Sequence, residues 1–182
     1  IYVTGDLHRE VDIDKLYKIA KLDTVPNIVL IAGDFGGASI QQAPENGIQP
    51  NQHDRRFLKY LSFLPLKTIT CPGNHENYDT ISMLPKTEAY GGRTVKLYDN
   101  IELLNRGYVF TIEGKKIFSQ GGAMSSDKQF RTEHETWWPQ ETVTEEKFQS
   151  SLNELTKVNF KIARAYSVSY THLRAHETEA DL

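Results

Sequence analysis

Short apolar runs alternate with helical spacings along the first half of the chain. Ile1-Tyr2-Val3-Thr4 reads as a first strand. Asp12 stands where it would cap a helix whose apolar positions, Ile13, Leu16, Tyr17 and Ala20, follow the helical period. Pro26-Asn27 breaks that helix. Ile28-Val29-Leu30-Ile31-Ala32 is a continuous aliphatic and β-branched run, the pattern of a strand covered on both faces. A second helix is predicted with Phe57, Tyr60, Leu61 and Leu64 on one face and Pro65 as its stop, and residues 67–71 give a third strand. Strand–helix–strand–helix–strand implies right-handed crossovers and a parallel sheet. In such sheets, ligands gather outside the carboxyl ends of the strands.

After Pro85 the pattern changes. Residues 94–98, 101–104, 108–112 and 116–119 are short strand candidates, punctuated by Asp99-Asn100, Arg106-Gly107 and Glu113-Gly114 as hairpin-type turns. This half predicts a second, largely antiparallel sheet. Thr142 with Glu145 forms a capping box for a helix that would bury Phe148, Leu152 and Leu155. In the first half, between the apolar run over 28–32 and the second helix, residues 36–52 are rich in Gly, Gln, Asn and Pro. They form either a solvated loop or a rim over a site, since they leave directly from the Asp34 turn.

Composition narrows the class. At 182 residues the chain holds one domain with a real core. A net charge of -3 gives no basic excess, hence no strong signal for nucleic acid or an anionic membrane surface. The single cysteine, Cys71, excludes an intramolecular disulfide framework and ends an apolar strand, as a buried inert thiol would. No apolar run approaches the roughly 20 residues of a membrane span. No signal-peptide pattern is present, so the expected location is cytoplasmic. Ile1 already lies inside a strand pattern, so a start Met and a few further residues are expected before it.

Chemistry concentrates in three stretches, each opened by Gly and each following an apolar run: Gly5-Asp6-Leu7-His8, Gly33-Asp34-Phe35-Gly36 and Gly73-Asn74-His75-Glu76. In an extended chain Asp6 and His8 leave on one side. A hard carboxylate beside a borderline imidazole suits Mn, Fe, Zn, Co or Ni better than Ca or Mg alone. Asp34, from the neighbouring strand, can place one oxygen on each of two ions held ~3.5–4 Å apart, the separation used in phosphoryl displacement. Asn74 offers an amide oxygen to the second ion, and the adjacent His75 points elsewhere, as a proton donor or oxyanion partner. Each stretch alone has a plainer reading: a turn carboxylate beside a surface His, a turn cap, an Asx-turn. A dimetal site explains why all three occur together with a matching ligand set.

Those motifs resemble the first three of the calcineurin-like metallophosphoesterases, with the likeness running from residue 1 to roughly residue 160. Trp137-Trp138-Pro139-Gln140-Glu141 is similar to a bacterial and phage subgroup. The resemblance implies an α/β fold, a four-layer αββα sandwich with two mixed sheets. It implies metal ligands at Asp6, His8, Asp34 (bridging) and Asn74, with His75 stabilising the transition state or protonating the leaving group. It also implies two divalent ions and attack of a bridging hydroxide on a phosphate mono- or diester. The substrate would be a phosphorylated small molecule, protein or nucleotide. Alternatives on the same fold are a nuclease, a cyclic-nucleotide phosphodiesterase, or a non-catalytic scaffold or inactive fragment.

Three departures stand out. Many members carry a second acid three positions after the bridging Asp, which often orients the catalytic His; here that position is Gly37. Another group would then set the tautomer of His75. Arg9 replaces a frequent Gly and is either a contact for a substrate phosphate or a solvated surface residue. Finally, the later His ligands of the family have no counterpart: no Gly-x-His follows Gly122, and His134 reads as a rim or surface residue. His172 and His176 could mimic the missing ligands. However, residues 168–182 share no pattern with the family and resemble translated sequencing-adapter DNA. The expected organisation is a partial phosphoesterase domain over 1–161, incomplete at its C-terminus, followed by a non-native tail over 162–182.

Overall fold

The computed structural model describes residues 1–22, 27–38 and 51–158. His172, His176, the tail over 162–182 and most of the loop over 36–52 lie outside the described residues. Strands β1 (Tyr2–Thr4), β2 (Asn27–Ala32) and β3 (Leu66–Cys71) pair in parallel, with Tyr2 opposite Val29 and Asn27 opposite Leu66. Helices α1 (Asp14–Ala20) and α2 (Gln52–Ser62) lie between them in sequence. The parallel sheet predicted from the strand–helix alternation is present.

From Ile28 onward β2 is apolar because its two faces meet different neighbours. Val29 and Ile31 join Leu16, Phe57, Leu58 and Leu61 of the helices in one core cluster. Ile28 joins Ile69, Leu104, Phe110 and Ile112 on the other face. Phe110 and Ile112 belong to the hairpin of β7 (Tyr108–Ile112) and β8 (Lys115–Ser119). Its turn places Glu113 and Gly114 at φ 49° and 72°. Positive φ at both central residues is what a twisted two-residue hairpin turn demands. Helix α4 (Glu145–Thr156) packs against β7, which completes an α–β–β–α succession of the kind the resemblance implies.

The partition of strands differs from the sequence expectation. After α3 (Tyr78–Met83), strands β4 (Thr87–Ala89), β5 (Gly92–Tyr98) and β6 (Ile101–Leu104) extend the first sheet, in the order β1-β2-β3-β6-β5-β4. β6 runs parallel to β3, with Thr68 opposite Ile101. Three hydrogen bonds direct this docking. The Asn100 amide donates to Ser62 O (3.2 Å) and Leu66 O (2.9 Å), and Thr68 N–H donates to Asn100 O (2.8 Å). Ile101, Leu103 and Leu104 are then buried against the sheet's two faces. Among the described residues, the antiparallel β7–β8 hairpin alone makes up the second sheet.

Three local expectations are also corrected. Asp12 does not cap α1; its carboxylate pairs with Lys15 at 2.7 Å, and Ile13 holds the cap position without a side-chain bond. Tyr60 is exposed, its hydroxyl meeting that of Tyr17, while Leu58 takes the buried place. Thr144, not Thr142, caps α4, and Phe148 is exposed. The small Ser151 is the buried residue of that helix, its hydroxyl set against Gly107, so close approach is made there. Among the described residues no helix is long and apolar enough to cross a membrane.

Candidate metal centre

The loops leaving β1 and β2 stay zipped beyond the strands. Asp6 N–H donates to Gly33 O (3.1 Å), His8 N–H to Asp34 O (2.7 Å) and Arg9 N–H to Phe35 O (3.0 Å). Asp6, His8, Arg9 and Asp34 all have positive φ, between 45° and 59°. Left-handed backbone at non-glycine residues costs of order 1 kcal/mol or more each and clusters where function requires it. Asp6 and His8 therefore do not share a side through extended alternation, as the sequence suggested. A left-handed coil brings them together, with Nε2 of His8 2.7 Å from Oδ1 of Asp6.

Asp34 is 2 % exposed. Its Oδ1 accepts the His75 backbone N–H at 3.0 Å, while its Oδ2 lies 3.9 Å from Nε2 of His8. One ligand atom from each of Asp6, His8 and Asp34 falls within 4.8 Å of the others. Asn74 is equally buried, and its Nδ2 donates to Ser125 Oγ at 2.8 Å, which leaves Oδ1 as the other end of the amide. Among the described residues, Asp34 Oδ2 and Asn74 Oδ1 are buried without a hydrogen-bond partner. An unsatisfied buried acceptor costs about 1–3 kcal/mol. Asp34 Oδ2, beside the Asp6–His8 carboxylate–imidazole pair, fits a hard or borderline divalent cation.

Gly73 makes this proximity possible. A Cβ there would stand 2.0 Å from Asp34 Oδ1. His75 packs its ring edge-to-face on His8, centroids 5.1 Å apart. Burial, first of all, pushes the His75 imidazole below its ordinary pKa; the Asp34 carboxylate opposes this, and Arg131 and His8 add to it. A cleft of about 200 Å³ opens here, its wall formed by His8, Arg9, Gly36, His75 and Asn77 among others. Arg9 is a built part of that wall. Its Nε donates to Gly36 O at 2.6 Å and pairs with the fully buried Asp54 at 2.9 Å.

Four residues to which sequence reasoning gave no role support the centre. Glu76 is buried and bridges two loops, accepting from Phe35 N–H (2.6 Å), Gly36 N–H (3.2 Å) and Gly73 N–H. Burial and then the Asp34 carboxylate push it up to about 7, against the pull of those N–H donors. Glu141, wholly buried, accepts from Ser125 N–H and Ser125 Oγ–H, both at 2.7 Å. Ser125 Oγ in turn accepts from Asn74 and from Arg131 Nη1 (3.2 Å), and Arg131 Nη2 meets Nδ1 of His75. Glu141 ends the Trp-Trp-Pro-Gln-Glu stretch, whose only sequence signal was its likeness to a subgroup. Asp79 anchors that stretch, taking Trp138 Nε1 and Gln140 Nε2 at 3.1 Å each and His134 Nδ1 at 2.7 Å. His134 is exposed and remote in role from the ligand set. Cys71 tucks its sulfur against Ile31 O, and burial pushes the thiol up to about 12.

Compared with known proteins, residues 1–179 match the model of the calcineurin-like phosphoesterases. No curated protein and no solved structure matches the chain.

Proposed function

The chain belongs to the calcineurin-like phosphoesterase family, and on that premise we propose that it hydrolyses a phosphate mono- or diester with two divalent ions. The observation that carries this reading is the pair of buried oxygens, Asp34 Oδ2 and Asn74 Oδ1, without a hydrogen-bond partner among the described residues. In this reading Asp6 and His8 hold one ion, Asn74 helps hold the other, and Asp34 serves both. Mn, Fe, Zn, Ni and Co all suit that mix of oxygen and imidazole donors. Bound ions would polarise the phosphoryl oxygens and supply a hydroxide nucleophile at neutral pH.

The protein's own groups set the rest. The cleft between His8, Arg9 and His75 receives the phosphoryl group, with Arg9 as a contact for its oxygens. His75 acts at the leaving oxygen rather than on an ion. The substrate is a phosphorylated small molecule, protein or nucleotide.

The test measures metal content and hydrolysis of aryl phosphate mono- and diesters together. Asp34→Asn is expected to lose metal and activity, because it removes charge shared by two ions. His75→Ala is expected to keep its metal and lose turnover, by the 10²–10⁴-fold typical of such groups (about that range). Full metal content in Asp34→Asn, or metal loss in His75→Ala, would refute these role assignments.

A further inference from the structure

We propose that Arg131 is a positioning residue that holds His75 as its neutral Nε2–H tautomer. The inference rests on the reading that His75 works at the phosphoester, and it supplies what the residue at Gly37 does not.

The contact is between Nη2 of Arg131 and Nδ1 of His75. A guanidinium carries only donors and keeps its proton at every accessible pH. Whenever this contact is made, Nδ1 is therefore the acceptor. The neutral ring then has its proton on Nε2, since the bond at one imidazole nitrogen dictates the state of the other. A carboxylate at Nδ1 would enforce the opposite tautomer and favour imidazolium. Gly37, where many relatives of this kind carry that acid, has no side chain to offer one.

The guanidinium is itself held. Nη1 donates to Ser125 Oγ at 3.2 Å, Nε lies 3.6 Å from Asp127 Oδ2, and the side chain is 13 % exposed. Ser125 Oγ gives its own proton to Glu141 and accepts from both Asn74 and Arg131. One buried carboxylate thus orients two side chains of the centre. It turns the Asn74 amide oxygen outward from Ser125, and through Arg131 it selects the His75 tautomer. The consequence for His75 is that it offers the cleft an N–H hydrogen-bond donor, Nε2–H, toward a phosphoryl or leaving oxygen.

The experiment reads the imidazole nitrogens by NMR in the metal-free chain with isotope-labelled histidine, above the pH of imidazole titration. His75 signals are assigned by their loss in His75→Gln. The wild type should show one tautomer, with an unprotonated Nδ1 and a protonated Nε2. Arg131→Met should replace it with an averaged mixture, and Arg131→Lys, which keeps a donor, should restore it in part. A protonated Nδ1 in the wild type overturns the proposal and needs no variant to fold. So does an Arg131→Met spectrum identical to the wild type. Where the metal-loaded chain is active, Arg131→Met should lower kcat by roughly 10–100-fold with KM little changed. Absence of hydrolysis in the wild type would count against the proposed function and leave the tautomer result standing.

Discussion

Removing the Glu76 carboxylate should unfasten the centre before it unfolds the sheet. Glu76 takes two N–H groups from the Asp34 loop on Oε1 and one from the Asn74 loop on Oε2, so it is the clasp between them. Glu76→Ala leaves two buried donors, Phe35 N–H and Gly73 N–H, and the part-buried Gly36 N–H without this acceptor. Because the carboxyl is pushed up to about 7, it is partly protonated at neutral pH. Its bonds therefore rank between neutral and fully charge-assisted, at about 1–2 kcal/mol each. Water entering the vacated space recovers part of that, so the expected net loss is about 3 kcal/mol. For a chain of this size that corresponds to roughly 6–12 °C in Tm. Glu76→Gln keeps the acceptor for Phe35 and Gly36 but turns an amide N–H toward the Gly73 N–H, and should fall between. Urea denaturation of the three metal-free proteins, with an unchanged m-value, measures the difference. A loss under about 1 kcal/mol for Ala, or a Gln variant weaker than Ala, would refute the clasp.

Two further outcomes follow from the same centre. Glu76 has a folded-state pKa raised from 4.5 to about 7, so the stability linked to its proton is complete below 4.5 and is lost as pH rises through about 7. The stability of the metal-free wild type relative to Glu76→Gln should accordingly decline across that window, and a flat difference in thermal melts would contradict it. Gly73→Ala should abolish divalent-ion uptake measured by calorimetry, because its Cβ would press on Asp34 Oδ1 at 2.0 Å; retained affinity would show that the two loops can part without cost.

Much of the candidate centre was legible because its residues sit where chain direction and strand ends put them. Ile28-Val29-Leu30-Ile31-Ala32 and residues 67–71 announce buried parallel strands, and the residues just beyond them must share an edge. What stayed hidden depends on long-range pairing. Period-2 patterns in residues 94–98 and 101–104 say strand, but not which sheet; Asn100, bonded to Ser62 and Leu66, decides that. The left-handed turns at Asp6 and His8 have no composition signature, since they arise from the ladder to Gly33 and Asp34. Arg131, Ser125 and Glu141 lie far along the chain from Asn74 and His75, in a stretch without regular strands, where no periodicity points to a partner.

That distance orders events during synthesis. Asp6, His8 and Asp34 are all translated early, and the bonds that join their loops, beyond the β1–β2 pairing, lie wholly within that early segment. Asn74 receives its orienting partner only when Ser125 and Glu141 have left the ribosome. At typical elongation rates the interval between Asp34 and Glu141 is roughly 5–20 s. Throughout it, the nascent chain would display a half-built anionic cluster, and once Asn74 has been made its amide would be free to flip until Ser125 and Glu141 follow. Stalled chains ending short of Glu141 should show that flipping as a loss of amide order at Asn74, which chains extending past α4 should regain.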